Sequence, residues 1–130
     1  MNAEIRRLIR QRAGDCCEYC GMRQSDEAWS RFHVEHIVAR QHKGGDSMDN
    51  LCLCCQHCNL HKGPNLSGID LVTGVLTRLF HPRQDVWDEH FSAVGLEIIG
   101  CTPMGRATVE VLAMNSSKRM DFRRSLRGDG

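Results

Sequence analysis

Aromatic residues are scarce in this 130-residue sequence, at 5% of the chain, and proline occurs three times. No apolar run approaches the roughly 20 residues that a membrane-spanning helix needs, which argues against a transmembrane role. Residues 1–7 (Met1-Asn2-Ala3-Glu4-Ile5-Arg6-Arg7) show no apolar stretch of the kind a secretory leader carries, so the expectation is a cytoplasmic protein. There is no low-complexity segment, no internal repeat and no large excess of one charge, the net charge being +1. The apolar share, 41%, is ordinary for a soluble globular chain and excludes a disordered or collagen-like one. The length suggests a single domain over 1–130.

Cysteine is plentiful, with eight residues. A core short of aromatics gains from a cross-link, and without secretion eight cysteines read as metal ligands and free thiols in preference to disulfides. The charge, balanced in total, is unevenly placed. Arg6, Arg7, Arg10 and Arg12 face only Glu4 in residues 1–12. Lys118, Arg119, Arg123, Arg124 and Arg127 face only Asp121 in residues 116–127, within a basic tail over 116–130. Such ends could touch a phosphate backbone, but charge alone favours two solvated helix faces.

Ile5, Leu8 and Ile9 recur at helical spacing, predicting a short helix over 3–13 that Gly14-Asp15 ends. Phe32 to Val38 alternates as a strand that ends or bulges near Glu35-His36, and Leu51 to Cys54 reads as a second strand. Lys43-Gly44-Gly45-Asp46 is a turn signal, and Cys55 to Lys62 is a helix stopped by Gly63-Pro64. Farther on, Gly74–Phe80 and Phe91–Ile99 read as two strands separated by His81-Pro82-Arg83 and an acidic turn. Thr102-Pro103 caps a helix running into the basic tail.

Seven of the eight cysteines and five of the seven histidines fall within residues 16–61. Cys17-x-x-Cys20 and Cys55-x-x-Cys58 are two knuckles that can close one tetrahedral zinc site, leaving Cys16, Cys52, Cys54 and Cys101 as small apolar residues. Buried thiols without metal, or a pairing that recruits Cys52 or Cys54, are the alternatives. Between the knuckles lie Glu35-His36, Gly44-Gly45, Asp49-Asn50-Leu51, then Cys58-Asn59 and Lys62-Gly63.

In that order and spacing the segment 17–63 resembles the HNH endonucleases, the ββα-metal or His–metal finger nucleases. The region from Ile69 to Met114, within an extension spanning 64–115, looks like one found in small bacterial HNH proteins. The resemblance implies a strand, loop, strand and helix with His36 as general base, Glu35 and Asn59 as ligands of a catalytic Mg²⁺ or Mn²⁺, and Asn50 as a brace for the loop that orients His36. Glu35 stands where Asp is usual and Asn59 where many members have His, and both keep oxygen ligands that favour a hard ion. His33, on the strand face of Glu35, and His61, Lys62 and Arg40 are auxiliary candidates for metal or phosphate. His42 flanks the same loop, and His57 lies inside the second knuckle.

The expected fold is α+β, a ββα-metal unit with a Cys₄ zinc knuckle, preceded by a short helix and followed by a β-hairpin and a C-terminal helix. The expected function is a metal-dependent DNA endonuclease that nicks one strand per site, as monomer or homodimer, and contacts double-stranded DNA mainly through backbone phosphates. The alternative is a zinc-ribbon nucleic-acid-binding module without catalysis. Glu35-His36 with Asn59 discriminates the two, because a binding module needs no base beside a hard-metal site.

Overall fold

The computed structural model describes residues 2–128, so Met1 and the last two residues of the basic tail lie outside the described residues. The fold is α+β, with five α-helices and three small antiparallel sheets among the described residues. Two compact units form. The first takes the chain up to Pro64 together with His81–Gln84, and the second takes Asn65–Phe80 and the chain from Asp85 onward.

The first unit opens with α1, Ala3–Arg12, where the Asn2 side chain accepts the Ile5 amide at 2.9 Å and Ile9 is buried. Two of its arginines fasten the helix to the strand pair of this unit. Arg10 donates to the Phe32 carbonyl at 2.6 Å, and Arg12 to the carbonyls of Met48 and Leu51 at 3.0 and 2.5 Å. Those carbonyls border β1, His33–His36, and β2, Leu51–Cys54, which pair antiparallel with Glu35 opposite Cys52 and His36 opposite Leu51. Every residue of β2 is buried. The strand therefore reads as a continuous apolar run with no alternation.

The loop from β1 to β2 carries two 3₁₀ turns, Arg40–His42 and Met48–Asn50. Gly44 passes so close to the backbone that a Cβ there would lie 1.7 Å from the Val38 carbonyl oxygen, and no other residue fits. Helix α2, Gln56–Lys62, starts at Cys55, whose sulfur accepts the Cys58 amide at 3.4 Å, and stops at Gly63 with a φ of 50°. Lys62 is buried, and its ammonium donates to the Ile37 carbonyl at 2.8 Å, locking α2 to the end of β1. Arg83, returning from the segment 81–84, pairs with the Glu18 carboxylate inside the first knuckle, which also accepts the Leu53 amide at 2.8 Å.

In the second unit the two expected strands do not pair with each other. The first narrows to β4, Leu76–Arg78, whose partner is β3, Ser67–Ile69. The second divides at Gly95, φ 61°, into β5, Phe91–Val94, and β6, Glu97–Gly100, a hairpin of its own. A single helical turn, α3 at Trp87–His90, occupies the acidic stretch before β5. Helix α4, Pro103–Val111, begins as expected, with the Thr102 hydroxyl accepting the Gly105 amide. It does not continue into the tail. Ala113 turns left-handed at φ 48°, Asn115 bonds both backbone groups of Ile98, and Ser116 caps a separate α5, Ser117–Leu126. Buried Asp70, after β3, takes both arms of the Arg106 guanidinium at 2.8 and 3.1 Å and so ties the β3–β4 hairpin to α4.

Candidate metal and hydrolytic site

Antiparallel pairing of β1 with β2, followed at once by α2, sets Glu35, His36 and Asn59 on one surface. All three line an open cleft of about 630 Å³ whose walls also include Tyr19, Arg40, Cys54 and Lys62. Glu35 and Asn59 are half-buried and present oxygen atoms, a carboxylate and a carboxamide. This donor chemistry suits a hard divalent cation that completes its coordination with water and phosphate.

His36 ends β1, and its Nε2 lies 2.7 Å from the Asp46 Oδ1. Arg40 reaches the same oxygen at 3.2 Å. Hydrogen bonds from His36 first and Arg40 second hold the Asp46 carboxyl below the usual carboxylate range. Asn50 supplies the frame. Its Oδ1 accepts the Val38 amide at 2.9 Å, and its Nδ2 donates to the carbonyls of Val38 and Gly45 at 3.0 and 2.8 Å. With the Asn50 carbonyl accepting the Ile37 amide at 2.8 Å, the loop is pinned on both sides of the glycine pair.

Beside the cleft stand the two knuckles. Sulfur atoms of Cys17, Cys20, Cys55 and Cys58 all lie within 4.8 Å of one another. A Zn–S bond of about 2.3 Å in a tetrahedron requires sulfurs about 3.8 Å apart. Cys20 and Cys55 stand 3.8 Å apart. Hydrogen bonds with Cys17, Cys55 and Cys58 hold the Cys20 thiol well below the usual range. Burial pushes Cys17 up, and hydrogen bonding to Cys17 raises Cys55 and Cys58. Four thiolates gathered in so buried a place require a cation. The donor set fits zinc, and no pairing through Cys52 or Cys54 is needed.

The auxiliary residues fall in different places. Arg40 and Lys62 line the cleft, though the Lys62 ammonium is already committed to Ile37, and burial lowers its pKa. His33 is exposed at the far end of β1, opposite Cys54. His61 is exposed and packs its ring against His57 at 4.3 Å between centroids. Most arginines of the basic ends serve the fold. Besides Arg10 and Arg12, Arg123 donates to the carbonyls of Leu96 and Met114, Arg127 donates to that of Gly95, and Arg124 pairs with Asp121. Sequence reasoning missed Asp46, whose only signal was its place in a turn ten residues beyond His36.

Residues 17–65 match the model of the HNH endonuclease family. This segment is an HNH domain, and the cysteine knuckles, β1, β2 and α2 all lie within it. Comparison with curated proteins and with solved structures returned no match. No helix among the described residues is long and apolar enough to cross a membrane.

Proposed function

We propose that the protein is a metal-dependent DNA endonuclease that hydrolyses phosphodiester bonds, one strand per site. The observation that carries this reading is the convergence of Glu35, His36 and Asn59 on one cleft beside the four-cysteine cluster. Glu35 and Asn59 would hold Mg²⁺ or Mn²⁺, which supplies charge neutralisation at the scissile phosphate and at the departing oxygen. Cys17, Cys20, Cys55 and Cys58 would hold zinc in a structural role, since four thiolates leave no open position for water.

The imidazole of His36 does the proton work. Asp46 accepts the Nε2–H, which leaves the lone pair of the neutral ring on Nδ1. That nitrogen takes a proton from the attacking water, the new P–O bond forms, and the opposite P–O bond breaks. Arg40 sits on the cleft wall where it can meet a phosphate oxygen. Lys62 acts from behind, as a buried tie between α2 and β1.

The test uses supercoiled plasmid with Mg²⁺ or Mn²⁺, a chelator control, and a His36→Ala variant whose fold is checked by circular dichroism. Metal-dependent conversion to open circle, reduced at least about 100-fold in the variant, is the expected result. Linear product from the outset would mean two sites acting together. Plasmid that is bound yet stays intact with every metal would remove the nuclease reading and leave a zinc-based binding module.

A further inference from the structure

Away from the cleft, the segment leading into β1 carries a feature the hydrolytic site does not use. Trp29 is 94% exposed. Its backbone is nevertheless held firmly. The Trp29 amide donates to the Glu27 carboxylate at 2.8 Å, and Gln24 grips both sides of Arg31, donating to the Ser30 carbonyl at 2.9 Å and accepting the Phe32 amide at 2.7 Å. Phe32 is buried. The fold therefore anchors the backbone at Trp29 while leaving uncovered about 150–250 Å² of surface that a tryptophan ordinarily buries.

The same segment gathers positive charge. Arg10 reaches from α1 to the Phe32 carbonyl, next to Arg31, and Arg6 lies one turn back on the same helix face. Burial lowers the Arg10 pKa, and the nearby Arg31 and Arg6 lower it further, while Asp15 opposes them. The Arg10 Nη1 is buried without a hydrogen-bond partner. Arg6 and Arg31 are exposed. Arg6 and Arg31 thus add exposed positive charge near Arg10, with Asp15 opposing it. Guanidinium forks match phosphate oxygens, and an outward indole offers a flat apolar face to a sugar or base.

Position completes the argument. Arg31 precedes Glu35 by four residues, about 13 Å of extended chain, or some four phosphate steps along one DNA strand. We propose that Arg6, Arg31 and Trp29, with Arg10 behind them tied to the Phe32 carbonyl, form a second contact surface for duplex DNA, which grips the backbone a few nucleotides from the bond held in the cleft. This rests on DNA being the substrate.

The measurement is anisotropy of a labelled 25-base-pair duplex (a length of about 25 base pairs is ample for the span above), made without Mg²⁺ or Mn²⁺ on the zinc-loaded full chain, from about 50 to 200 mM salt. The Arg6→Gln/Arg31→Gln variant should bind more weakly on every sequence, with the slope of log affinity against log salt shallower by about 1.8. Duplex should also change the tryptophan emission of the unaltered protein, and that change should vanish in Trp29→Phe, where Trp87 alone reports. An unchanged slope together with an emission response that survives in Trp29→Phe, in a protein that still nicks plasmid, overturns this surface alone. Failure to bind duplex combined with intact plasmid overturns the surface and the nuclease reading together.

Discussion

The side chain of Asn50 closes the loop onto Val38, twelve positions earlier, spending its carboxamide on Val38 and Gly45. An Asn50→Ala substitution removes three hydrogen bonds and strands the Val38 amide, at a cost of about 2–3 kcal/mol. We expect the midpoint of the first unit's thermal transition to fall by about 10 °C or more. Plasmid cleavage should fall with it even at temperatures where the variant stays folded, because His36 and Asp46 are brought together by that loop. Circular dichroism and the nicking assay, run side by side, check both. Glu35, His36, Asn50 and Asn59 were all singled out from the sequence because their types and order resemble the HNH nucleases, and Glu35, His36 and Asn59 line one cleft. The His36–Asp46 contact was not. Nothing in Lys43-Gly44-Gly45-Asp46 says which way its carboxylate points until Gly44 lies against the Val38 carbonyl. The charge runs misled in a similar way, since a guanidinium at helical spacing looks alike whether it meets a phosphate or, as with Arg12, a carbonyl of its own chain.

Among elements, the ββα segment was legible almost to the residue, because each boundary has its own chemistry. Gly63 with a positive φ stops α2, Cys55 caps it, and the buried run Leu51–Cys54 can only be an interior strand. The second unit was less so. Ser67–Ile69 is three residues with a central glycine, and it is a strand only because Leu76–Arg78 lies beside it. Gly95, a lone glycine in an apolar run, gave no hint that the chain reverses there. The tie that holds this unit's first hairpin is Asp70 with Arg106. The guanidinium, and after it the Thr73 hydroxyl, keep the Asp70 carboxyl well below the ordinary carboxylate value. A depressed pKa contributes stability that is complete above the unfolded value, near pH 4, and is lost as pH falls toward the folded one. Melting of the intact protein should therefore show the second unit's transition dropping below about pH 4. In Asp70→Asn it should start lower and lose that acid dependence.

At the scale of the molecule, the two units draw on different sources of stability. The first has four clustered sulfurs whose chemistry fits a cation, and the second has an aromatic core in which Phe80 packs edge-on against Phe91 at 5.2 Å. Structural zinc in small domains is worth about 10–16 kcal/mol at neutral pH. Stripping it with a strong chelator should abolish the first unit's calorimetric transition while the second's persists. Restoring one equivalent of Zn²⁺ should bring the first back, and a first unit that melts unchanged in chelator would remove the zinc assignment. The overall charge was uninformative in the sequence because so many of its cations are spent inside the fold. With Arg10, Arg12, Arg123 and Arg127 turned onto backbone carbonyls, the sum of charges no longer counts the cations free to meet a partner.

The pairing of Arg83 with Glu18 joins residues 65 apart in the chain. As the polypeptide emerges from the ribosome, both knuckles, β1, β2 and α2 are already outside when residue 64 appears, yet the carboxylate within the first knuckle still lacks its cation. Nineteen more residues must be added first, a wait of about one to four seconds at ordinary elongation rates. Nascent chains thus pass through an interval in which the metal ligands are all synthesised and the unit is still one contact short, and the timing of metal capture relative to that contact becomes a property of translation as well as of the finished fold.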